Sequence, residues 1–87
     1  MPYIFSEARK GIKKSLTALV LWIHGNGQRD VSARVNYAIC KLFVDSKFES
    51  YHEMAGFISG LEMAKLELYR RFIAPHENKA MKRNGDL

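Results

Sequence analysis

The segment GLEMAKLELYRRFIAP, residues 60–75, carries the side chains of this sequence that are best suited to chemistry. An α-helix turns by about 100° per residue, so the segment places Leu61 and Phe72 on one apolar stripe with Lys65 among them. Glu62 lies one turn before Lys65, an order that favours an ion pair on a helix. The Lys65 ammonium either reaches water beyond its apolar stem, or it is semi-buried and needs an anion such as a phosphate.

Three further candidates follow in the same segment, namely Tyr69, Arg70 and Arg71. Adjacent side chains on a helix point about 100° apart, so only one of the two arginines is expected to share a site with Lys65 of the same chain. Neighbouring copies of the chain would then supply further cations and tyrosines. We expect such a site to bind a phosphate-bearing ligand without changing it.

No catalytic or metal-binding motif accompanies these residues. The histidines His24, His52 and His76 lack the spacing of a metal motif, both among themselves and with carboxylates. The sequence contains no Walker loop, no dinucleotide fingerprint and no recognisable serine nucleophile. Cys40 falls on an apolar helical face, where a cysteine is more often a small core residue than a nucleophile. We therefore expect no catalytic residue, no metal, no cofactor and no enzymatic activity.

The composition is that of one small folded domain. The chain has 87 residues, of which 47% are hydrophobic and 26% charged. A chain of this length buries only roughly 60–65% of the surface that its unfolded form exposes, so a second copy would help to complete its core. The formal net charge of +5 suits an anionic partner, although a solvated basic surface is equally common.

Other features favour a cytoplasmic protein with no membrane partner. A single cysteine cannot form an intrachain disulfide, which makes a reducing compartment the default. The longest apolar run, ALVLWI, is far shorter than the roughly 20 residues of a membrane span. The start of the sequence does not have the pattern of a secretion signal.

Apolar residues at helical spacing predict an all-α fold with three helices and no strand. The predicted helices cover about residues 6–24, 31–47 and 51–74. Residues 1–74 would form a single helical domain. Residues 75–87 are polar and predict a partly ordered tail.

Local signals set the predicted helix ends. Ser6 and Asp30 are candidate N-caps, and a capping box begins at Ser50. The GNG sequence at residues 25–27 would end the first helix. Pro75 would end the third, because proline disfavours helical geometry in the residue before it.

Apolar side chains on opposite faces of the second helix predict a homo-oligomer. One face carries Val31, Val35 and Leu42, and Tyr37 and Val44 lie on the opposite side. A three-helix monomer covers two faces of one helix poorly. Copies of the chain would cover both.

Nucleic acid is a less favoured partner. Four cations cluster near the start of the sequence, at Arg9, Lys10, Lys13 and Lys14. They could attract phosphates without reading bases. A helix-turn-helix would need a turn near residues 59–60, where one apolar stripe instead continues without interruption.

Four stretches resemble a family of small uncharacterised proteins encoded by bacteriophages, prophages and other mobile elements. The stretches are the opening MPYI, VNYAICKL at 35–42, GLEMAKLELYRRFIAP at 60–75 and NGD at 84–86. The family pattern combines a central NY, then LE-x-AK-x-E-x-YRR-x-x-APYE-x-x-K, and a terminal NGD-V. His76 stands where the family has tyrosine, and Leu87 where it has valine. The resemblance implies a context and no mechanism, since small phage accessory proteins often counter host defence by binding a host protein or an immune signalling nucleotide.

We therefore expect a phage-type accessory protein, with an anti-defence role, that binds an anionic small ligand such as a signalling nucleotide in a helical oligomer. It would act in the cytoplasm, which is the host cytoplasm if a phage encodes it. The expected ligand-binding residues are Lys65, Arg70, Arg71, Tyr69, Tyr37, Glu62, Tyr3 and Asn36. Glu62 would orient Lys65, and the MPYI start or the NGD end would close over the ligand. The alternatives are an inhibitor that binds a host protein and a non-specific nucleic-acid binder.

Overall fold

The computed structural model describes residues 4–25 and 30–86, and within these ranges it contains three helical runs and no strand. This confirms the predicted all-α, three-helix fold. Tyr3 with the rest of the MPY start, and Asn26 and Gly27 of the predicted turn, lie outside the described residues. The elements are α1 Ser6–Arg9, a 3-10 segment Lys10–Ile12, α2 Lys13–His24, α3 Val31–Ser46, α4 Tyr51–Leu68, a π segment Tyr69–Ile73 and α5 Ala74–Asn84.

The chain divides into two units, Met1–Glu49 and Ser50–Leu87. The first unit contains α1, α2 and α3. The second consists of one helical run, α4 followed by the π segment and α5. The single domain that the sequence predicts for residues 1–74 stays a prediction.

Two of the three predicted caps are confirmed. The Asp30 carboxylate accepts a hydrogen bond from the Ala33 N–H at 3.2 Å, and the Ser50 hydroxyl accepts one from the Glu53 N–H at 3.1 Å. The bond from Ala33, and then one from the Ser32 hydroxyl, lower the pKa of Asp30.

The predicted cap at Ser6 is wrong. Ser6 is already the first helical residue of α1, and the cap position belongs to Phe5, whose backbone is extended and whose side chain has no polar group. The guanidinium of Arg9 instead donates to the Ile4 carbonyl oxygen at 3.0 and 3.2 Å. Arg9, the last residue of α1, therefore holds the backbone at Ile4, just before the helix.

In the first unit, α2 and α3 each end at a residue with a positive φ. Gly25 ends α2 at a φ of 64°, a conformation that glycine adopts without strain. Lys47 ends α3 in the left-handed region at a φ of 53°. Phe43 and Phe48, which lie on either side of Lys47 in the sequence, make an edge-to-face contact with ring centroids 5.6 Å apart.

The third helical run continues to Asn84, beyond the end near Ala74 that the sequence predicts. Proline cannot donate the bond to the carbonyl four residues back, and its ring would clash there in a regular helix. The π segment changes the geometry before Pro75, since the Ala74 N–H donates to the Tyr69 carbonyl oxygen five residues back. Pro75 then lies in the first turn of α5, where a missing N–H is tolerated.

No residue within the described ranges is buried in a single copy. Large apolar side chains such as Leu21 and Phe72 are well over half exposed. Cys40 is exposed as well, and its thiol donates to the amide oxygen of Asn36 at 3.7 Å, so it does not have the core position expected for it. Much apolar surface is thus available to a partner.

Candidate functional site

Glu67 joins the two arginines of the predicted site. One carboxylate oxygen, Oε1, accepts from Nη2 of Arg70 in a close contact and lies 2.7 Å from Nε of Arg71. Arg70 and Arg71 are three and four residues after Glu67, the two spacings at which helical side chains meet. Both guanidiniums are therefore held beside the same oxygen.

The electrostatics of this trio leave room for a second anion. The Glu67 side chain is 27% exposed, whereas those of Arg70 and Arg71 are 68% and 55% exposed. One carboxylate oxygen cannot satisfy all the N–H groups of two guanidiniums. The remaining donors and the surplus positive charge face solvent, and an external phosphate or carboxylate could bind them.

Tyr69 is held by a different acid. Its hydroxyl donates to Oε1 of Glu77 at 2.8 Å. This bond, then the negative charge of Glu77, then partial desolvation raise the pKa of Tyr69 above its ordinary value of 10.0. Tyr69 is therefore a fixed hydrogen-bond donor at neutral pH, and Glu77 is already engaged.

Lys65 and Glu62 do not form the predicted ion pair. Both side chains are exposed, and within the part of the chain that the structure describes no ion pair joins them. An exposed pair on a helix surface contributes only about 0.3–0.5 kcal/mol, so little free energy holds the two side chains together. Of the two interpretations of Lys65, the single copy shows the solvated ammonium.

Lys65 and Arg71 lie on different faces of the third run. Lys65 is four residues before Tyr69 and shares the face that carries the bond to Glu77. Arg71 is four residues after Glu67, and about 120° or more separates it from Lys65 around the axis. One chain therefore brings the two arginines together and leaves Lys65 apart.

The other predicted site residues belong to the first unit. Asn36 accepts from the Cys40 thiol, and the ring of Tyr37 lies 6.0 Å from that of Trp22. Tyr3 lies outside the described residues.

Glu67 and Glu77 contact predicted site residues but were not themselves predicted from the sequence. Glu67 could have been found by the rule that oppositely charged side chains three or four apart on a helix meet, since it satisfies that rule twice. Glu77 could not, because its contact with Tyr69 depends on the π segment between them.

The residues with described placement include no group of three or more histidine, cysteine or acidic side chains that could hold a metal ion. They also include no helix with the length and apolar character needed to cross a membrane.

The described residues define a small all-α protein in which Glu67 pairs with both Arg70 and Arg71 on one helical run. The chain belongs to the family described as a domain of unknown function, DUF6899, whose model matches residues 1–87. Comparisons with curated proteins and with solved structures gave no match. The family description names no activity.

Proposed function

We propose that this protein is a non-catalytic binding protein that holds an anionic small molecule, such as a signalling nucleotide, on the Arg70 and Arg71 guanidiniums. The observation that carries the proposal is the single Glu67 oxygen that contacts both side chains. It fixes two forked donors side by side before any ligand arrives. Such preorganisation lowers the entropy that is lost on binding a phosphate.

The protein acts as a homo-oligomer in this proposal. The uncovered apolar surface of the described residues supports association of copies. Lys65 and Tyr69 lie away from Arg71 on one chain, so a site that uses all the predicted cations needs residues from two copies. Association would then complete the ligand site as well as the core.

Binding without turnover follows from the state of the acids. A general base must be free to accept a proton from the reacting group. Glu67 is engaged by two arginines, and Glu77 accepts the hydrogen bond of Tyr69. Both carboxylates thus already have hydrogen-bonding partners, which supports binding without turnover.

A phage-type accessory role in the host cytoplasm fits such a protein. Sequestering a signalling nucleotide removes an immune signal without catalysis. The resemblance of the MPYI, NY, YRR and NGD stretches to proteins of mobile elements supports this setting. The anti-defence role is proposed on that basis.

Titration calorimetry with a panel of cyclic dinucleotides and cyclic oligonucleotides tests this function. We expect saturable binding to the wild type and recovery of the intact ligand by anion-exchange chromatography. The double variant Arg70→Ala/Arg71→Ala should lose at least about tenfold in affinity. The matched control Lys13→Ala/Lys14→Ala removes the same charge from exposed residues of α2 and should bind normally. No binding across the panel, or a degraded ligand, contradicts the proposal.

A second function, an inhibitor that binds a host protein, is favoured by the exposed apolar side chains of the first unit. Leu21 on α2 and Val44 on α3 are examples. Their faces would meet the host protein in place of a second copy. Multi-angle light scattering separates the two functions, because a strict monomer at all concentrations favours the inhibitor.

A further inference from the structure

A cleft of about 410 Å³ lies between α2 and α3 in the first unit. Its lining is mainly aromatic and aliphatic, with polar residues at one end: Leu19, Trp22, Tyr37, Ala38, Leu42, Lys41, Asp45 and Ser46. Small-molecule sites have volumes of roughly 300–1,000 Å³ and combine apolar walls with a few polar groups. The cleft therefore has the size and the composition of a ligand site.

Trp22 is held in place from outside the cleft. The Arg34 guanidinium donates to the Trp22 carbonyl oxygen at 2.7 Å, and its central carbon lies 5.0 Å from the centroid of the indole ring. Arg34 lines the neighbouring depression with Asp30 and Ala33, and it does not line the cleft. A cation over the indole restrains the ring, and Trp22 and Tyr37 line both this depression and the cleft.

Tyr37 supplies the second aromatic wall. Its ring centroid is 6.0 Å from that of Trp22, and the two ring planes are inclined by 48°. Trp22 is 41% exposed and Tyr37 59%, so both rings are accessible. Accessible aromatic rings provide a surface on which another flat ring, such as a nucleobase, can stack.

The polar end of the cleft offers hydrogen bonds to the edge of a ligand. Lys41 and Asp45 form an ion pair at 3.2 Å, with an ammonium donor and a carboxylate acceptor side by side. The Ser46 hydroxyl donates to the Leu42 carbonyl oxygen at 2.6 Å and keeps its own lone pairs. A ring with both donors and acceptors on its edge matches this end better than a hydrocarbon does.

We propose that this cleft binds a planar heteroaromatic ring of the nucleobase type. Trp22 and Tyr37 together form an aromatic wall that contacts one face of the ring, and Lys41 and Asp45 contact its edge. This site goes beyond the proposed function, because it lies in the other unit and recognises a ring in place of a charge. It does not depend on anion binding at Arg70 and Arg71.

The fluorescence of Trp22 tests the proposal directly, because the sequence contains one tryptophan. The probe is adenosine, which has a base but no phosphate, and the comparison compound is ribose 5-phosphate, which has a phosphate but no base. We expect saturable quenching by adenosine and none by ribose 5-phosphate. Since adenosine carries no phosphate, its result is independent of the arginine pair, and failure of one proposal is distinguishable from failure of the other.

Two tyrosine variants make the test specific. Tyr37→Ala should weaken adenosine binding about tenfold or more, the effect of removing one stacking ring. Tyr51→Ala alters a tyrosine of α4 that is 84% exposed and does not line the cleft, so it should bind as the wild type does. Circular dichroism shows whether both variants keep their helices, and if Tyr37→Ala unfolds, Tyr37→Leu takes its place. The proposal is overturned by non-saturable quenching, by equal losses in both variants, or by a protein-concentration dependence of the emission that shows a second copy in the cleft.

Discussion

Tyr69 and Glu77 are joined by a hydrogen bond of 2.8 Å although eight residues separate them. In a regular α-helix this spacing would turn the two side chains about 80° apart. The wider turn of the π segment Tyr69–Ile73 brings them onto one face. The same segment precedes Pro75, where it allows the helix to continue into α5. It also contains Arg70 and Arg71 of the proposed site.

The pKa of Tyr69 should be higher than that of an ordinary tyrosine. Because Glu77 favours the protonated phenol in the folded state, the folded pKa lies above 10.0. The stabilisation is therefore complete below pH 10.0 and is lost as the pH rises through the folded pKa. An NMR titration of the tyrosine ring signals measures this value. Glu77→Gln should lower it towards the ordinary value of 10.0, and a wild-type Tyr69 that already titrates at 10.0 would refute the contact.

Ser50→Ala should lower the free energy of unfolding by about 1 kcal/mol. The Ser50 hydroxyl accepts from the Glu53 N–H at the start of α4, and alanine leaves that donor without its cap. Ser59→Ala, inside α4, is the control and should be neutral or slightly stabilising, because alanine is the better helix former. Urea unfolding followed by circular dichroism compares the variants. An equal effect of both substitutions would argue against the cap.

Gly60→Ala should raise the free energy of unfolding by about 0.5–1 kcal/mol, because glycine in a helix costs more backbone entropy than alanine. A methyl group at Gly60 meets no described atom within 4 Å. Gly56, one turn earlier, has the same open surroundings and serves as a second test. A thermal melt gives the change in Tm, and a decrease would show that another helix packs closely on these glycines.

The native mass should be at least twice the 10.0 kDa of one chain, because we expect a homo-oligomer. A single copy buries none of the described residues, and folded domains of this size need a buried core. Sedimentation velocity over a dilution series measures the mass. A constant 10.0 kDa species at every concentration would remove the oligomer from the proposed function.

The fold could be predicted well because its signals are local. Asp30 and Ser50 are followed by N–H groups that they can reach within one turn, so sequence alone identifies them as caps. Ser6 has the same side chain chemistry, but the backbone enters the helix one residue earlier. Pro75 predicted a helix end, but the π segment before it lets the helix continue. No local sequence rule predicts a π turn.

The candidate site was only partly predictable for the same reason. Arg70 and Arg71 are identifiable from residue type, and Glu67 could have been added from its spacing. The separation of Lys65 from Arg71 follows from helix geometry once the run is known to continue. The contact of Tyr69 with Glu77 depends on the π segment and could not be read from the sequence.

The double variant Arg70→Lys/Arg71→Lys tests most directly whether the two guanidiniums bind an anion as a preorganised pair. Lysine keeps both charges but cannot offer the planar fork that Glu67 positions. Calorimetric affinities for the tightest cyclic nucleotide of the panel would be compared with the wild type at low and physiological salt. We predict at least about tenfold weaker binding at both salt concentrations. Equal affinity at both would mean that positive charge alone holds the ligand and would contradict the proposed site.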